Sequence, residues 1–141
     1  MPAKTFTRPP TESRCPVKGK VVLVTFPFDD LSGTKVRPAV CLTEPVGVHR
    51  HVVLAFITSQ VPEEPLPSDV ALSPTDPGFA MTGLHVGSTL RLHRLITLDS
   101  SLLRRELGVL PPAREREVRE KLRRLFGLDS EPVANPPGAA A

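Results

Sequence analysis

Two short segments of the sequence combine apolar, strand-like residues with side chains that can contact a phosphate. The first is "GTKVRPAV", in which Arg37 stands directly before Pro38. The second is "AFITSQ", which ends in Thr58, Ser59 and Gln60. Because proline restricts the preceding residue to an extended conformation and has no amide hydrogen, we expect Arg37 at the start or edge of a strand. A guanidinium held there can donate paired hydrogen bonds to a phosphate. Taken singly, each segment is equally typical of a surface charge or a strand-ending turn.

Other reaction chemistries lack the residues that they need. The sequence has no G-x-S-x-G, P-loop, G-x-G-x-x-G or H-E-x-x-H motif, so four common enzyme classes have no support. Asp29 and Asp30 stand beside "LSG" and are interpreted as turn formers. Cys15 and Cys41 form no C-x-x-C pair, and Cys41 is expected to be a buried small hydrophobic residue. We therefore predict neither a metal nor a cofactor.

Length and composition predict one small domain. The 141 residues, 40% of them hydrophobic, suit a single core. No apolar run is long enough for a membrane span or a secretory signal, which predicts a cytoplasmic protein without membrane contact. A formal net charge of +3 permits a polyanionic partner without demanding one. Proline-rich, apolar-poor ends predict a disordered leader (1–16) and tail (129–141) around a domain at 17–128.

Short valine-rich segments predict the strands that position these side chains. The clearest are "KVVLVTF" (20–26), "VRPAVCLT" (36–43) and "HVVLAFIT" (51–58). Further strand candidates are "SDVAL", "FAMTGL" and "STLRLHRLITL". Short strands without intervening helices indicate a mainly β protein built on a small, strongly curved sheet or barrel.

The helical additions come late in the chain. In "AREREVREKLRRLFG", a helix is predicted to begin at Pro111 or Pro112 and to stop at Gly127. Its apolar stripe would face the sheet and comprises Val118, Leu122, Leu125 and Phe126. Its charges predict a solvated, self-paired face through Glu115–Arg119, Glu117–Lys121 and Glu120–Arg124. "DSSLLRREL" predicts a shorter helix capped by Asp99 or Ser100.

Four segments in order resemble the MazF/PemK family of toxin endoribonucleases from type II toxin-antitoxin systems. They are "KGKVVLVTFPFDDLSGTKVRPAVCL", "VVLAFITSQ", "GFAMTGLHVGSTLRLHRLITLD" and "LRRLFGL". The specific part is the Arg-Pro pair followed by Ile-Thr-Ser-Gln. The resemblance covers residues 17–128 and implies a Src-homology-3-like barrel with helical additions, usually a homodimer. It also implies metal-independent, sequence-specific cleavage of single-stranded RNA, and a cognate antitoxin that blocks the RNA groove.

The same resemblance assigns roles to individual residues. Arg37 and Thr58 match the family's catalytic pair. The loop that contacts RNA corresponds to Leu31, Ser32, Gly33, Thr34 and Lys35. We add Ser59 and Gln60, which follow Thr58, and a basic patch of Arg91, His93 and Arg94 as further RNA-binding candidates.

The chemistry of metal-free RNA cleavage fits this pair in part. The neighbouring 2′-hydroxyl attacks phosphorus, which leaves a cyclic phosphate and a free 5′-hydroxyl. Arg37 would offset charge on the phosphoryl oxygens, and Thr58 would hydrogen-bond the phosphate. Neither is a suitable general base. The group that moves the protons stays open, with His93 and Ser59 as candidates.

Two alternative functions share this predicted fold. One is a non-catalytic toxin that binds a protein such as DNA gyrase, but such toxins depend on an aromatic C-terminal end, and this chain has no Trp and ends in "PPGAAA". The other is an inactive barrel that binds RNA or protein. Lys20 and the loop "DDLSGTK" depart from common family patterns, so the cleaved RNA sequence does not transfer.

Overall fold

Six antiparallel strands form the sheet of this protein. The computed structural model describes residues 17–26 and 35–128. The strands are β1 (Lys20–Phe26), β2 (Lys35–Cys41), β3 (His51–Thr58), β4 (Asp69–Leu72), β5 (Ser88–Asp99) and β6 (Leu103–Val109). Their order in the sheet is β4-β5-β3-β2-β1-β6. The mainly β prediction is confirmed, and the first three strands lie where the valine-rich segments predict them.

The sheet is not a closed barrel. Among the described residues, β4 and β6 are its two edges and do not pair with each other. A 3-10 helix, Phe79–Thr82, lies with its backbone directly against β6. A Cβ atom on Gly108 would overlap the carbonyl oxygen of Met81, so only glycine permits this approach. The mainly β architecture is therefore as predicted, but strand pairing does not close it into a barrel among the described residues.

Two local predictions are wrong. "FAMTGL" is not a strand, because Thr82 Oγ1 donates to the Phe79 carbonyl at 2.7 Å and Gly83 ends the turn in the left-handed region. "DSSLLRREL" is not a helix beyond one short 3-10 turn, Ser100–Leu102. Asp99 caps that turn by accepting from the Ser101 amide at 2.9 Å, and this hydrogen bond lowers the pKa of Asp99. The following residues form β6 because the exposed edge of β1 supplies backbone partners.

The late helix is confirmed, with a shorter apolar face than predicted. Helix α1 (Pro112–Leu125) follows Pro111, and Gly127 ends it at a φ of 70°. Val118 is buried and Leu122 packs against the core, but Leu125 and Phe126 are 39% and 57% exposed. The C-terminal end of this apolar stripe extends beyond the core and faces solvent.

One of the three predicted ion pairs on α1 forms. Lys121 Nζ lies 2.7 Å from Glu117 Oε2, and Arg114 joins the same carboxylate at 2.6 Å. Within the described residues, the Glu115–Arg119 and Glu120–Arg124 pairs do not come within ion-pair distance. Lys121 also donates to the Asp69 carbonyl at 2.6 Å, which ties α1 to β4.

Both faces of the sheet bury apolar side chains. Val21, Val40 and Ala55 belong to the cluster beneath α1, which also includes Val118. Their neighbours along the strands point to the opposite cluster, as the period of two requires. Cys41 lies in that second cluster, where burial raises the pKa of its thiol to about 12. The prediction of an inert, buried cysteine is confirmed.

None of the helices in the described part of the chain has the length and apolarity needed to cross a membrane.

Candidate nucleic-acid interface

Strands β2 and β3 carry Arg37 and Thr58 to the same end of the sheet. The two strands pair from Cys41 opposite Leu54 to Ala39 opposite Phe56. The same register, continued by two residues, sets Arg37 opposite Thr58. Beyond Ala39 the chain meets Pro38, which has no amide hydrogen to extend the ladder. The sheet is therefore open where these two side chains emerge.

A cleft of about 810 Å³ lies at this open end. Its floor is a row of residues across the sheet, because Leu23 pairs with Pro38 on one side and with Arg105 on the other. Directly opposite residues share a face of an antiparallel sheet. The polar side chains around the cleft are Arg37, Thr58, Ser59, Gln60, His85, Ser88, Arg94, Arg105 and Glu106.

The turn after β3 orients the Thr58 hydroxyl. Thr58 Oγ1 accepts a hydrogen bond from the Gln60 amide at 3.1 Å. Such a turn occupies a lone pair of the hydroxyl oxygen and leaves its proton available for donation. Thr58 is half-buried, while Ser59 and Gln60 are exposed. A phosphate in the cleft could therefore accept a hydrogen bond from a hydroxyl whose position is already held by the backbone.

The charges around the cleft favour an anion. Arg37, Arg94 and Arg105 come from three different strands and all line it. The carboxylate that lines the cleft, Glu106, lies 3.0 Å from Lys20 Nζ and is neutralised by it. Guanidinium groups stay charged at every physiological pH and match phosphate oxygens with paired donors. The cleft thus has the electrostatic character of a phosphate-binding surface.

A bulge in β5 separates the three residues of the predicted basic patch. Phe56 pairs with Arg91, but the preceding residue of β3, Ala55, pairs with Leu95, which leaves three residues of β5 outside the ladder. Such an insertion changes the direction of side chains along the strand. Arg94 turns into the cleft, with its guanidinium carbon 5.2 Å from the centre of the Phe56 ring. His93 is exposed and is not among the residues that line the cleft.

Arg91 has a structural contact. Its Nε donates to Asp69 Oδ1 at 2.9 Å, and the Asp69 side chain is only 9% exposed. Asp69 Oδ2 also accepts from the Leu66 amide at 2.9 Å. Because Lys121 of α1 reaches the carbonyl of the same aspartate, Arg91 belongs to the contact between the β4–β5 edge and the helix.

We expect Arg91→Ala to reduce stability more than RNA binding. Removing the guanidinium leaves a nearly buried carboxylate without its charged donor, which costs about 2 kcal/mol of unfolding free energy. Urea melts monitored by circular dichroism would measure this loss. Thr97→Ala, an exposed substitution in the same strand, is the control. An unchanged melting curve together with weakened RNA binding would instead indicate that Arg91 contacts RNA, as the sequence predicted.

The structure describes only some of the remaining predicted RNA-binding residues. Leu31, Ser32, Gly33 and Thr34 lie outside the described residues, and for Lys35 the backbone alone is described, as the first residue of β2. Ser59 and Gln60 line the cleft beside Thr58. In the part of the chain that is described, no group of three or more His, Cys, Asp or Glu side chains is placed to hold a metal ion.

Sequence reasoning missed Arg105, Glu106 and His85 as cleft residues. Arg105 and Glu106 fall in the segment that local propensity assigned to a helix, so their place on an edge strand was not anticipated. His85 stands alone between strands, without a motif around it. The flanking Gly83 and Gly87 were the available signal, since glycines around a polar residue often mark a close backbone approach.

An open antiparallel sheet with one packed helix and a cleft lined by arginines defines a small β protein with an anion-binding surface. The model of the family described as "PemK-like, MazF-like toxin of type II toxin-antitoxin system" matches residues 17–126. The chain therefore belongs to the PemK-like, MazF-like toxin family, which confirms the resemblance seen in its sequence. No curated protein matches it.

Solved structures share the fold. The Mycobacterium tuberculosis toxin MazF-mt6 is 25% identical with a TM-score of 0.57, and the match covers 79% of this chain and 99% of that one. MazE-MazF (Form-III) from Deinococcus radiodurans is 26% identical with a TM-score of 0.60, covering 81% and 98%. An endoribonuclease in complex with its cognate antitoxin from a mycobacterial species, at 22% identity, has a TM-score of 0.56 and supports the fold alone, covering 84% and 100%.

Proposed function

We propose that this protein is a toxin endoribonuclease that cleaves single-stranded RNA, including mRNA, at specific sequences without a metal ion, and so inhibits translation and growth. The observation that carries the proposal is the convergence of Arg37 and Thr58 on one arginine-lined cleft. Membership of the PemK-like, MazF-like toxin family supports the class of activity.

The proposed reaction uses the substrate's own 2′-hydroxyl as the nucleophile. As its oxygen bonds to phosphorus, negative charge grows on the two non-bridging oxygens. Arg37 offsets that charge with paired donors, and Thr58 donates its hydroxyl hydrogen to the same phosphate. Arg94 and Arg105 bind the flanking phosphates. The products are a 2′,3′-cyclic phosphate and a free 5′-hydroxyl.

The same cleft accounts for the proposed partners. An antitoxin with acidic side chains would compete with RNA for the arginines, and similar structures include complexes of MazE with MazF. We propose a homodimer in which RNA crosses from one subunit's cleft to the other, because one cleft offers few phosphate contacts by itself. We also propose that residues 17–128 are the folded unit, which the family match to 17–126 supports. We propose a cytoplasmic location for the protein, where both its RNA substrate and its antitoxin would be present.

Mapping the ends of cleaved RNA tests the activity. Purified protein incubated with single-stranded RNA in EDTA should yield 5′ fragments that end in a cyclic phosphate and 3′ fragments with a free 5′-hydroxyl. Arg37→Ala protein purified in the same way is the control for contaminating nucleases. Cleavage that stops on chelation would overturn the metal-independent mechanism. Binding to RNA or to gyrase without cleavage would favour one of the two non-catalytic alternatives.

A further inference from the structure

The proposed reaction needs a proton acceptor that Arg37 and Thr58 do not supply. The bond between the 2′-oxygen and phosphorus forms as the 2′-hydroxyl loses its proton, and the bond from phosphorus to the 5′-oxygen breaks as that oxygen gains one. Guanidinium groups are always protonated and hydroxyl groups are very weak bases. Around the cleft, the described side chains that can accept a proton near neutral pH are His85 and Glu106.

The surroundings of these two acceptors differ. Glu106 Oε1 lies 3.0 Å from Lys20 Nζ, so this carboxylate is already engaged in an ion pair. His85 is exposed at the cleft and makes no hydrogen bond or ion pair with the described residues. The charged groups that line the same cleft are Arg37 of β2, Arg94 of β5, and Arg105 and Glu106 of β6. Imidazole is the side chain best suited to exchange a proton near neutral pH.

The segment that carries His85 is anchored on its N-terminal side. Thr82 is fully buried, and its hydroxyl donates to the Phe79 carbonyl and accepts from the Leu84 amide at 3.1 Å. Gly83, at a φ of 74°, lies so close to β6 that a Cβ atom would overlap the Leu107 carbonyl oxygen. His85 follows two residues later, so the anchor holds its backbone beside the cleft wall formed by Leu107. A catalytic base needs this kind of fixed presentation.

We propose that His85 is the general base of the cleavage reaction, which accepts the 2′-hydroxyl proton while Arg37 stabilises the phosphoryl oxygens. This inference rests on the proposed endoribonuclease function. Water gives a proton to the departing 5′-oxygen, and the hydroxide that is left takes the proton held by His85, so the base is regenerated and the proton count closes over one turnover. Of the two candidates for proton transfer named from the sequence, Ser59 lines the cleft but its hydroxyl is a very weak base, and His93 is not among the lining residues.

The test compares pH–rate profiles of full-length variants on one single-stranded RNA. A base must be unprotonated to act, so wild-type kcat should fall as the pH drops through the range in which imidazole titrates, about pH 5 to 8. His85→Ala should lower kcat at neutral pH about a hundredfold or more and remove this acidic limb, with KM changed little. His49→Ala is the matched control, because His49 is an exposed histidine of the β2–β3 connection that does not line the cleft.

Two further readouts separate a catalytic role from a structural one. Free imidazole should restore part of the activity of His85→Ala, and its thermal melt should match the wild type because the side chain is exposed. A wild-type rate and pH profile in His85→Ala would overturn the inference. So would loss of the acidic limb in His93→Ala or Glu106→Gln while His85→Ala keeps it. Absence of cyclic phosphate ends from the wild type would instead refute the proposed function.

Discussion

Arg37→Ala is expected to reduce kcat/KM for RNA cleavage by about a hundredfold or more. Arg37 lines the cleft near the start of β2, beside Thr58, where the proposed function places the reacting phosphate. Its donors act most strongly on the charge that develops in the transition state, so kcat should fall more than RNA affinity. Arg94 and Arg105 would still bind the flanking phosphates. Single-turnover cleavage assays with saturating protein would measure the change.

Two variants sharpen this expectation. Arg37→Lys should recover little activity, because an ammonium cannot reproduce the planar, two-donor geometry of guanidinium. Arg104→Ala should leave cleavage unchanged, since Arg104 is an exposed arginine of β6 that does not line the cleft. All three proteins should keep the wild-type melting temperature, because both arginines lie outside the apolar core. Unimpaired cleavage by Arg37→Ala would contradict both the proposed mechanism and the assignment of this cleft.

Gly83→Ala is expected to destabilise the protein by about 3 kcal/mol, the largest effect on stability that we predict. Two costs add together at this position. The φ of 74° is unfavourable for a residue with a Cβ atom, which accounts for about 1 kcal/mol. The new Cβ would also overlap the backbone carbonyl of Leu107, so the segment around Gly83 must move away from β6. Urea unfolding would measure the loss.

Gly47→Ala separates these two costs. Gly47 has a φ of 79°, close to that of Gly83, but no atom lies within 4 Å of the Cβ position. We therefore expect this variant to lose only the conformational part, about 1 kcal/mol. Equal losses in the two variants would show that the contact with β6 is not tight. Because the same segment presents His85, Gly83→Ala should also reduce cleavage under conditions in which the variant is still folded.

Local sequence signals predicted the elements whose own residues carry a clear apolar pattern. The valine-rich segments of β1, β2 and β3 have the composition of buried strands. The apolar spacing around Val118, with Pro112 and Gly127 at the ends, identifies α1. The Arg37–Pro38 pair and the Thr58 turn could be singled out for a similar reason. Proline restricts the residue before it, and a threonine hydroxyl accepts from a backbone amide two residues away.

Tertiary structure decided the features that depend on partners distant in the chain. β6 forms where a helix was expected, because the edge of β1 offers hydrogen bonds that outweigh a weak local preference. The register shift opposite Ala55 and Phe56 lies between Arg91, which contacts Asp69, and Arg94, which enters the cleft, and this shift was not visible in the sequence. His85 reaches the cleft because Gly83 and Gly108 allow close backbone contact between the segment before His85 and β6. The sequence by itself thus predicted five of the six described strands, the helix, the family resemblance and the two residues assigned to phosphate chemistry. Which other charged side chains line the cleft was decided by strand pairing, the bulge and close backbone contact, since these depend on residues far apart in the chain.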